Sequence, residues 1–329
     1  MMKRTEQRLE YIEKLFPNKK YKIIDLPADA SLRSYHRIML ENESYILMDD
    51  NSNSIDIFQF YNIDKFLEKN QIRVPQIVKA DLDNGFILLE DLGDGVFSKL
   101  LENGRDQSEL YEKAVDVLIN TVKAIDKKPD FIPEFSEEII KEEISELLDW
   151  YYPSAYNEEL LIGAKIEFYN ILEHLMIYKN KLPNSLVICD YHVDNLMIDI
   201  NDNCVVLDFQ DSLWGSISHD ILCLLEDARR EVPNNIKEEM LNKFISAFPN
   251  LDKNEFIDVY KFYSFFRHSR VIGRFARLNK RDKKSSYLKF IPHCFKMLNN
   301  TLEHDKLSDM KKWFDKYMPE NKRLEIKVF

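Results

Sequence analysis

Residues 185–211 read SLVICDYHVDNLMIDINDNCVVLDFQD, and no other stretch limits the fold so tightly. Apolar β-type runs at 196–200 and 204–207 flank the turn-like Asn201-Asp202-Asn203, a pattern that predicts a hairpin. Asp190, Asn195 and Asp208 sit in or beside the apolar runs, and each brings an oxygen. A hairpin ending on Asp208 returns that carboxylate toward the loop that carries Asp190 and, five places later, Asn195. The fold must therefore build a strand pair around three oxygen-bearing side chains.

With 329 residues, 45% hydrophobic content and 12% aromatics, the chain can fill one large core or two smaller ones. A formal net charge of -11 argues against nucleic acid or an anionic membrane as partner, because phosphate-rich surfaces reward clustered cations. Cys189, Cys204, Cys223 and Cys294 form no CxxC pair, so neither a disulfide framework nor a zinc site is expected. The N-terminal MMKRTEQRLEYIEKLF lacks an apolar signal core, and no run approaches the ~20 apolar residues that span a bilayer. The expectation is a soluble cytoplasmic protein with no nucleic-acid, membrane or obligate protein partner.

Leu9, Ile12 and Phe16 at helical spacing predict a helix over 5–16, and β-type runs follow at 21–26, 35–40 and 44–48. Between the first two strands lies a glycine-free loop of small residues at 27–34. Ser31 and its backbone, with Arg33 or Arg37, are candidates to approach a phosphate there; the alternative is an ordinary hairpin loop. A helix over 55–69 and strands at 74–78 and 85–89 come next. Glu90-Asp91-Leu92-Gly93-Asp94-Gly95 then reads as a hinge, whose free backbone groups are suited to an adenine edge; the alternative is a plain interdomain linker. From 108 onward the pattern is helical, over 108–126, 136–150, 158–178, 219–230, 236–248, 253–281, 285–302 and 305–317. The predicted fold class is α+β. A small lobe of five antiparallel strands and a helix, residues 1–91, covers a nucleotide. A large, mainly α-helical lobe, residues 92–329, carries catalysis and substrate binding.

Phosphoryl transfer depends on alignment and charge neutralisation more than on covalent help from the protein. Magnesium prefers hard oxygen ligands, which Asn195 and Asp208 supply. Asp190 can hold an acceptor hydroxyl and take its proton, and the Asp190 to Asn195 spacing is that of a protein-kinase catalytic loop. His192 can face the phosphoryl oxygens as a donor, and Asp211 is a further metal or substrate candidate. ATP and Mg2+ are the cofactors this chemistry needs. Arg267, Arg270, Arg274, Arg277 and Arg281 recur at three- and four-residue spacing along one helix face. They either pair with the acidic excess of the chain or, at Arg267 and Arg270, capture an anionic substrate.

The segments CDYHVDN and DFQD resemble the Brenner motifs of the aminoglycoside phosphotransferase and choline kinase superfamily, which has a bilobal protein-kinase-like fold. ADASLRSYHR, LLEDLGD, DFQDSLWGSISHDILCLLEDARR, RVIGRFARL and YLKFIP are similar to one bacterial subfamily, the anomeric kinases of N-acetylmuramate and N-acetylglucosamine in cell-wall recycling. The likeness runs from about residue 29 to residue 292. It implies Asp190 as catalytic base, Asn195 and Asp208 as magnesium ligands, and a nucleotide in the cleft between lobes with backbone contacts near Glu90 and Leu92. The chain departs from the superfamily at Ile188-Cys189, where His-Arg or His-Gly is usual, and it has no lysine in Tyr45-Ile46-Leu47-Met48-Asp49. Two alternatives follow: a kinase for an aminoglycoside or another small alcohol, and a nucleotide-binding pseudokinase.

Overall fold

The computed structural model describes residues 3–26, 33–50 and 55–323. Its strands are β1 (Lys22–Asp25), β2 (Ser34–Met39), β3 (Ser44–Asp49), β4 (Ile77–Asp81), β5 (Phe86–Glu90), β6 (Asn184–Val187), β7 (Leu196–Ile198), β8 (Cys204–Val206) and β9 (Leu213–Ser216). The chain divides into two compact units, residues 1–117 with 193–212 and residues 118–192 with 213–329.

In the first unit β1 to β5 make one antiparallel sheet in the order β1-β2-β3-β5-β4. Side chains alternate across a sheet, so each strand divides its residues between two faces. One face carries Ile38, Leu47, Phe86 and Leu88, and Tyr11, Ile12 and Phe16 from the α1 (Arg4–Leu15) region close over it. Asp49 shares that face and is pinned there, Arg4 Nε donating to Oδ1 at 2.6 Å and Arg8 Nη1 to Oδ2 at 3.2 Å. Arg8 Nη1 also donates to His36 Nε2 at 2.6 Å, which leaves Nδ1 of that ring to donate to Asp25 at 2.6 Å. The fourth strand begins at Ile77 and not, as its apolar run suggests, at Val74, because Pro75 has no N–H to give a ladder.

α2 (Ile55–Lys69) and α3 (Phe97–Glu102) belong to this unit, and α4 (Gln107–Ala124) begins in it. The hairpin of β7 and β8 belongs to it too, through backbone hydrogen bonds from Ile198 N to Gly95 O at 2.8 Å and Val206 N to Arg73 O at 2.9 Å. The approach is close enough that a Cβ at Gly95 would lie 2.6 Å from Ile198 O. Asp199 ties off the hairpin loop, accepting from Asn201 N and Asn203 N while Arg73 Nε donates to its Oδ2 at 3.1 Å.

The second unit contains α5 (Glu137–Glu146), a π-helical turn (Leu147–Tyr151), α6 (Tyr152–Tyr156), α7 (Ile162–Leu175), α8 (Ser218–Leu225), α9 (Asn234–Ser246), α10 (Lys253–Asp282), α11 (Ile291–Leu302), α12 (Ser308–Tyr317) and α13 (Glu320–Arg323). β6 pairs with β9 within it. α10 is 30 residues long, about 45 Å at helical rise, and is buried along most of its length. Asp252 caps its start by accepting from Glu255 N at 2.8 Å. The periodicity that predicts one helix over 136–150 misses the π turn. A Cβ at Gly273 would lie 2.2 Å from the Glu146 carbonyl carbon and 2.3 Å from Leu147 N, so α10 meets α5 backbone to backbone where the π turn begins. That approach sets Glu143 and Glu146 against the arginine face of α10.

Asp64, in α2, is 1% exposed and neither carboxylate oxygen has a hydrogen-bond partner among the described residues. Burial pushes its carboxyl up to about 7, with Lys65 Nζ at 3.8 Å a partial offset. A folded-state value above the ordinary 3.8 means that stability present in acid is lost as pH rises through about 7. Asp64→Asn should therefore stabilise the fold, by a margin that grows between pH 4 and 7 and then levels at on the order of 2–4 kcal/mol, with Tm rising in step. Thermal melts across that range check it; a margin independent of pH contradicts it.

Candidate active site

The second unit holds Asp190 at the end of a strained turn. Cys189 has φ 72, and Asp190 N donates back to Ile188 O at 3.0 Å, closing a three-residue turn that an L-residue adopts at a cost. The buried carboxylate of Asp220, in the first turn of α8, holds that turn in place. Ile188 N donates to its Oδ2 at 2.6 Å and Cys189 N to its Oδ1 at 3.1 Å. The brace acts on backbone N–H groups, so the Ile188 and Cys189 side chains do not remove it.

The Asp190 carboxylate is 54% exposed, with Arg270 Nη2 3.8 Å from Oδ1. Burial pushes its carboxyl up, but the positive charges around it, Arg270 foremost, then His192 when it carries a proton, then Arg267 and Arg229, outweigh that and hold it below the ordinary carboxylate range. Exposure lets water screen the effect. His192 Nε2 accepts from Arg229 Nη1 at 2.9 Å. A guanidinium has no acceptor, so this bond requires a neutral imidazole, and the charge beside the loop at this point is that of Arg229. Sequence reasoning missed Arg229; its signal was the basic pair that ends DILCLLEDARR.

The arginine face of α10 divides. Arg274 Nε donates to Glu146 Oε2 at 2.7 Å and Arg277 Nη1 lies 2.8 Å from Glu146 Oε1, so these two pair with the acidic excess. Arg281 is on Asp282 at 2.8 Å. Arg267 is buried, donating to Glu226 O at 2.7 Å and facing Cys223 Sγ at 3.2 Å. Arg270 alone of the five is placed against both Glu143, at 3.5 Å, and Asp190. His219, Asp220 and Cys223 offer donor atoms within 4.8 Å of one another, but Asp220 is engaged by the loop and Arg267 faces the sulfur, an arrangement hostile to a cation.

The first unit holds Asn195 and Asp208, placed by the β7–β8 hairpin, with Leu207 N donating to Asn195 O at 2.9 Å. Asn195 Nδ2 lies 3.4 Å from Asp208 Oδ2. Asp208 takes the left-handed conformation, φ 54, and the Gln210 amide donates to its Oδ1 at 2.9 Å and to Asp211 Oδ2 at 3.3 Å. One amide and one carboxylate, both oxygen-bearing, converge here. A half-turn of the Asn195 amide presents its oxygen instead, and the pair then suits a hard divalent cation such as Mg2+.

Of the remaining residues, Ser31 lies outside the described residues. Arg33 is buried with its Nε 3.5 Å from Asp50 Oδ2. Arg37 is taken up at the hinge, its Nε 2.8 Å from Asp91 Oδ2 and its Nη2 donating to Gly93 O at 2.9 Å. Glu90 closes β5; its side chain pairs with Arg73, and its N donates to Gln76 O at 2.9 Å. Leu92 follows it in the hinge.

Residues 22–253 match a family described as the phosphotransferase enzyme family, well over half of the chain. The chain belongs to that family. A protein of Pseudomonas aeruginosa named N-acetylmuramate/N-acetylglucosamine kinase is 31% identical over 288 residues, 85% of this chain and 83% of the relative. A Caulobacter vibrioides protein of the same name is 28% identical over 334 residues, covering 89% and 91%. Among solved structures, a choline/ethanolamine kinase family protein from Mesorhizobium loti superposes with TM-score 0.65 at 12% identity, covering 94% of this chain and 99% of that one. A choline kinase from Streptococcus pneumoniae gives TM-score 0.61 at 12% identity, covering 93% and 99%. At such identities these two establish the protein-kinase-like fold. As a member of this family the protein is a phosphotransferase, and among the described residues no helix is long and apolar enough to cross a membrane.

Removing the brace should disable phosphotransfer and leave nucleotide binding intact. Asp220→Ala is expected to lower kcat about a hundredfold, equivalent to about 3 kcal/mol of barrier, with the dissociation constant for nucleotide changed less than twofold. Steady-state kinetics beside calorimetry check this, and equal losses in both would contradict it. The charge around Asp190 makes a second prediction. A base with a lowered pKa stays ionised into acid, so the rate falls only below the ordinary carboxylate range; Arg270→Gln, by removing the foremost cation, should move that acid limb to higher pH. An unmoved limb in the pH profile of kcat/KM contradicts this.

Proposed function

We propose that this phosphotransferase moves the γ-phosphoryl group of ATP, with Mg2+, to the anomeric hydroxyl of N-acetylmuramate or N-acetylglucosamine. The observation that carries the reading is the half-open Asp190 carboxylate held ionised among Arg270, Arg267 and Arg229. An anomeric hydroxyl is more acidic than an ordinary alcohol, so a carboxylate of low basicity suffices to take its proton. The acceptor oxygen attacks the γ-phosphorus, its proton passes to Asp190, the bond from that phosphorus to the β–γ bridging oxygen breaks, and ADP leaves. Asn195 and Asp208 would hold Mg2+, which when bound neutralises charge on the phosphate oxygens. Backbone groups near Glu90 and Leu92 take the adenine edge.

Residues 1–91 cover the nucleotide in this reading, and residues 92–329 carry catalysis and the acceptor. Asp190 and Asn195 stand five residues apart, and a stretch that short reaches at most about 18 Å even when fully extended. Base and metal-binding amide are thereby tied together by the chain itself. Arg270 and Arg229 suit a carboxylate-bearing sugar better than a polycationic aminoglycoside, and Asp211 and Arg267 remain second to them as acceptor contacts. His192, neutral while Arg229 donates to it, orients that guanidinium. The nucleotide co-substrate makes the cytoplasm its place of work.

A panel of N-acetylmuramate, N-acetylglucosamine, kanamycin and choline with ATP and Mg2+, followed by mass spectrometry, tests the acceptor. The two amino sugars should each gain one phosphoryl group, and Asp190→Asn should lower that rate by at least about a thousandfold while ATP still binds. Transfer to kanamycin or choline in preference to the sugars overturns the acceptor reading. ATP binding with transfer to nothing in the panel overturns the kinase reading.

A further inference from the structure

The strand that in kinases carries a phosphate-binding lysine has none here, and its pattern of faces says where a substitute must lie. Tyr45, Leu47 and Asp49 point to the face covered by α1, where Asp49 is engaged by Arg4 and Arg8. Alternation puts Ile46, Met48 and Asp50 on the opposite face. On β2 the same rule assigns His36 and Ile38 to the α1 face and Tyr35 and Arg37 to the other, the side to which Arg33, the residue just before the strand, continues the alternation. The register pairs Ser34 with Asp49, so one step further along the ladder sets Arg33 opposite Asp50. That is what the ion pair between Arg33 Nε and Asp50 Oδ2 at 3.5 Å records.

Both partners are fixed. Asp50 is 3% exposed, its N donating to Gly85 O at 2.9 Å and its carbonyl accepting from Arg4 Nη2 at 3.1 Å. A Cβ at Gly85, which has φ 74, would lie 2.2 Å from that carbonyl, so the close approach depends on glycine. The Arg33 guanidinium lies 5.9 Å from the Phe60 ring centroid, and Phe60 stacks at 4.9 Å on Phe209, the residue after Asp208. Tyr35 reports the same neighbourhood: burial pushes its hydroxyl up, Arg33 opposes this, and Asp208 and Asp50 add to it. All these residues belong to the first unit. Arg37, on the same face of β2, is held at the hinge by Asp91 and Gly93.

We propose that Arg33, oriented by Asp50, is the cation that binds the α- and β-phosphates of the nucleotide, its charge supplied from β2 in place of a lysine on β3. The inference rests on the nucleotide reading given above. A guanidinium is a planar fork of N–H donors whose geometry matches phosphate oxygens. Asp50 acts through Arg33 and is a positioning residue.

Calorimetric titrations with adenosine and with ADP plus Mg2+ separate this from a structural role. Arg33→Ala should weaken ADP binding at least tenfold and leave adenosine binding within twofold; Arg33→Lys should recover part of the loss. Asp50→Asn should raise the KM for ATP severalfold with adenosine binding unchanged. Equal weakening of adenosine and ADP, or an ADP affinity indifferent to Arg33→Ala and Arg33→Lys alike, overturns the assignment. Wild-type protein that binds adenosine but gains nothing from the two phosphates overturns it as well, whereas failure to bind either ligand removes the nucleotide reading beneath it.

Discussion

Two backbone hydrogen bonds to one buried carboxylate hold the loop that carries Asp190 in shape. Asp220 accepts from Ile188 N and Cys189 N, and those contacts keep a turn with positive φ at Cys189 from relaxing. The turn sets the direction of Asp190, and from there the chain has five residues in which to reach Asn195. An apolar Ile188 is tolerated because its side chain is buried, 1% exposed, while its backbone does the binding. The usual His-Arg or His-Gly before the aspartate is one way to brace such a loop; a carboxylate from the next helix is another.

The second device is a division of labour among arginines. On α10, closeness at Gly273 puts Glu143 and Glu146 within reach, and Arg274 and Arg277 are consumed in pairing with Glu146. Arg270, one turn earlier, keeps Asp190 as a neighbour. At the five-stranded sheet, Arg37 secures the hinge through Asp91 while Arg33 pairs with Asp50. A charge stripe read from sequence therefore sorts into structural and chemical members only when its acidic partners are known.

Much of this was legible from the chain. The apolar runs and the Asn-Asp-Asn turn gave the β7–β8 hairpin, and the strand, helix and strand order of the first ninety residues gave the five-stranded sheet. Where local pattern failed, a non-local cause is visible. The strand near Val74 starts late because Pro75 cannot join the ladder, and the helix over 136–150 ends in a π turn because α10 presses on it through Gly273. Arg229 was missed because nothing at residue 229 announces a neighbour at residue 192. The loop at 27–34 offered Arg33 as a phosphate candidate, but only the β2–β3 register named Asp50 as its partner.

The central claim is that Asp190 activates an anomeric hydroxyl and no other. Phosphorus NMR of the product made from N-acetylglucosamine, recorded with proton coupling, tests it most directly. The account predicts a single phosphomonoester whose phosphorus couples to the anomeric proton. Coupling to a ring or exocyclic proton at another carbon, or inorganic phosphate as the sole new signal, would contradict it.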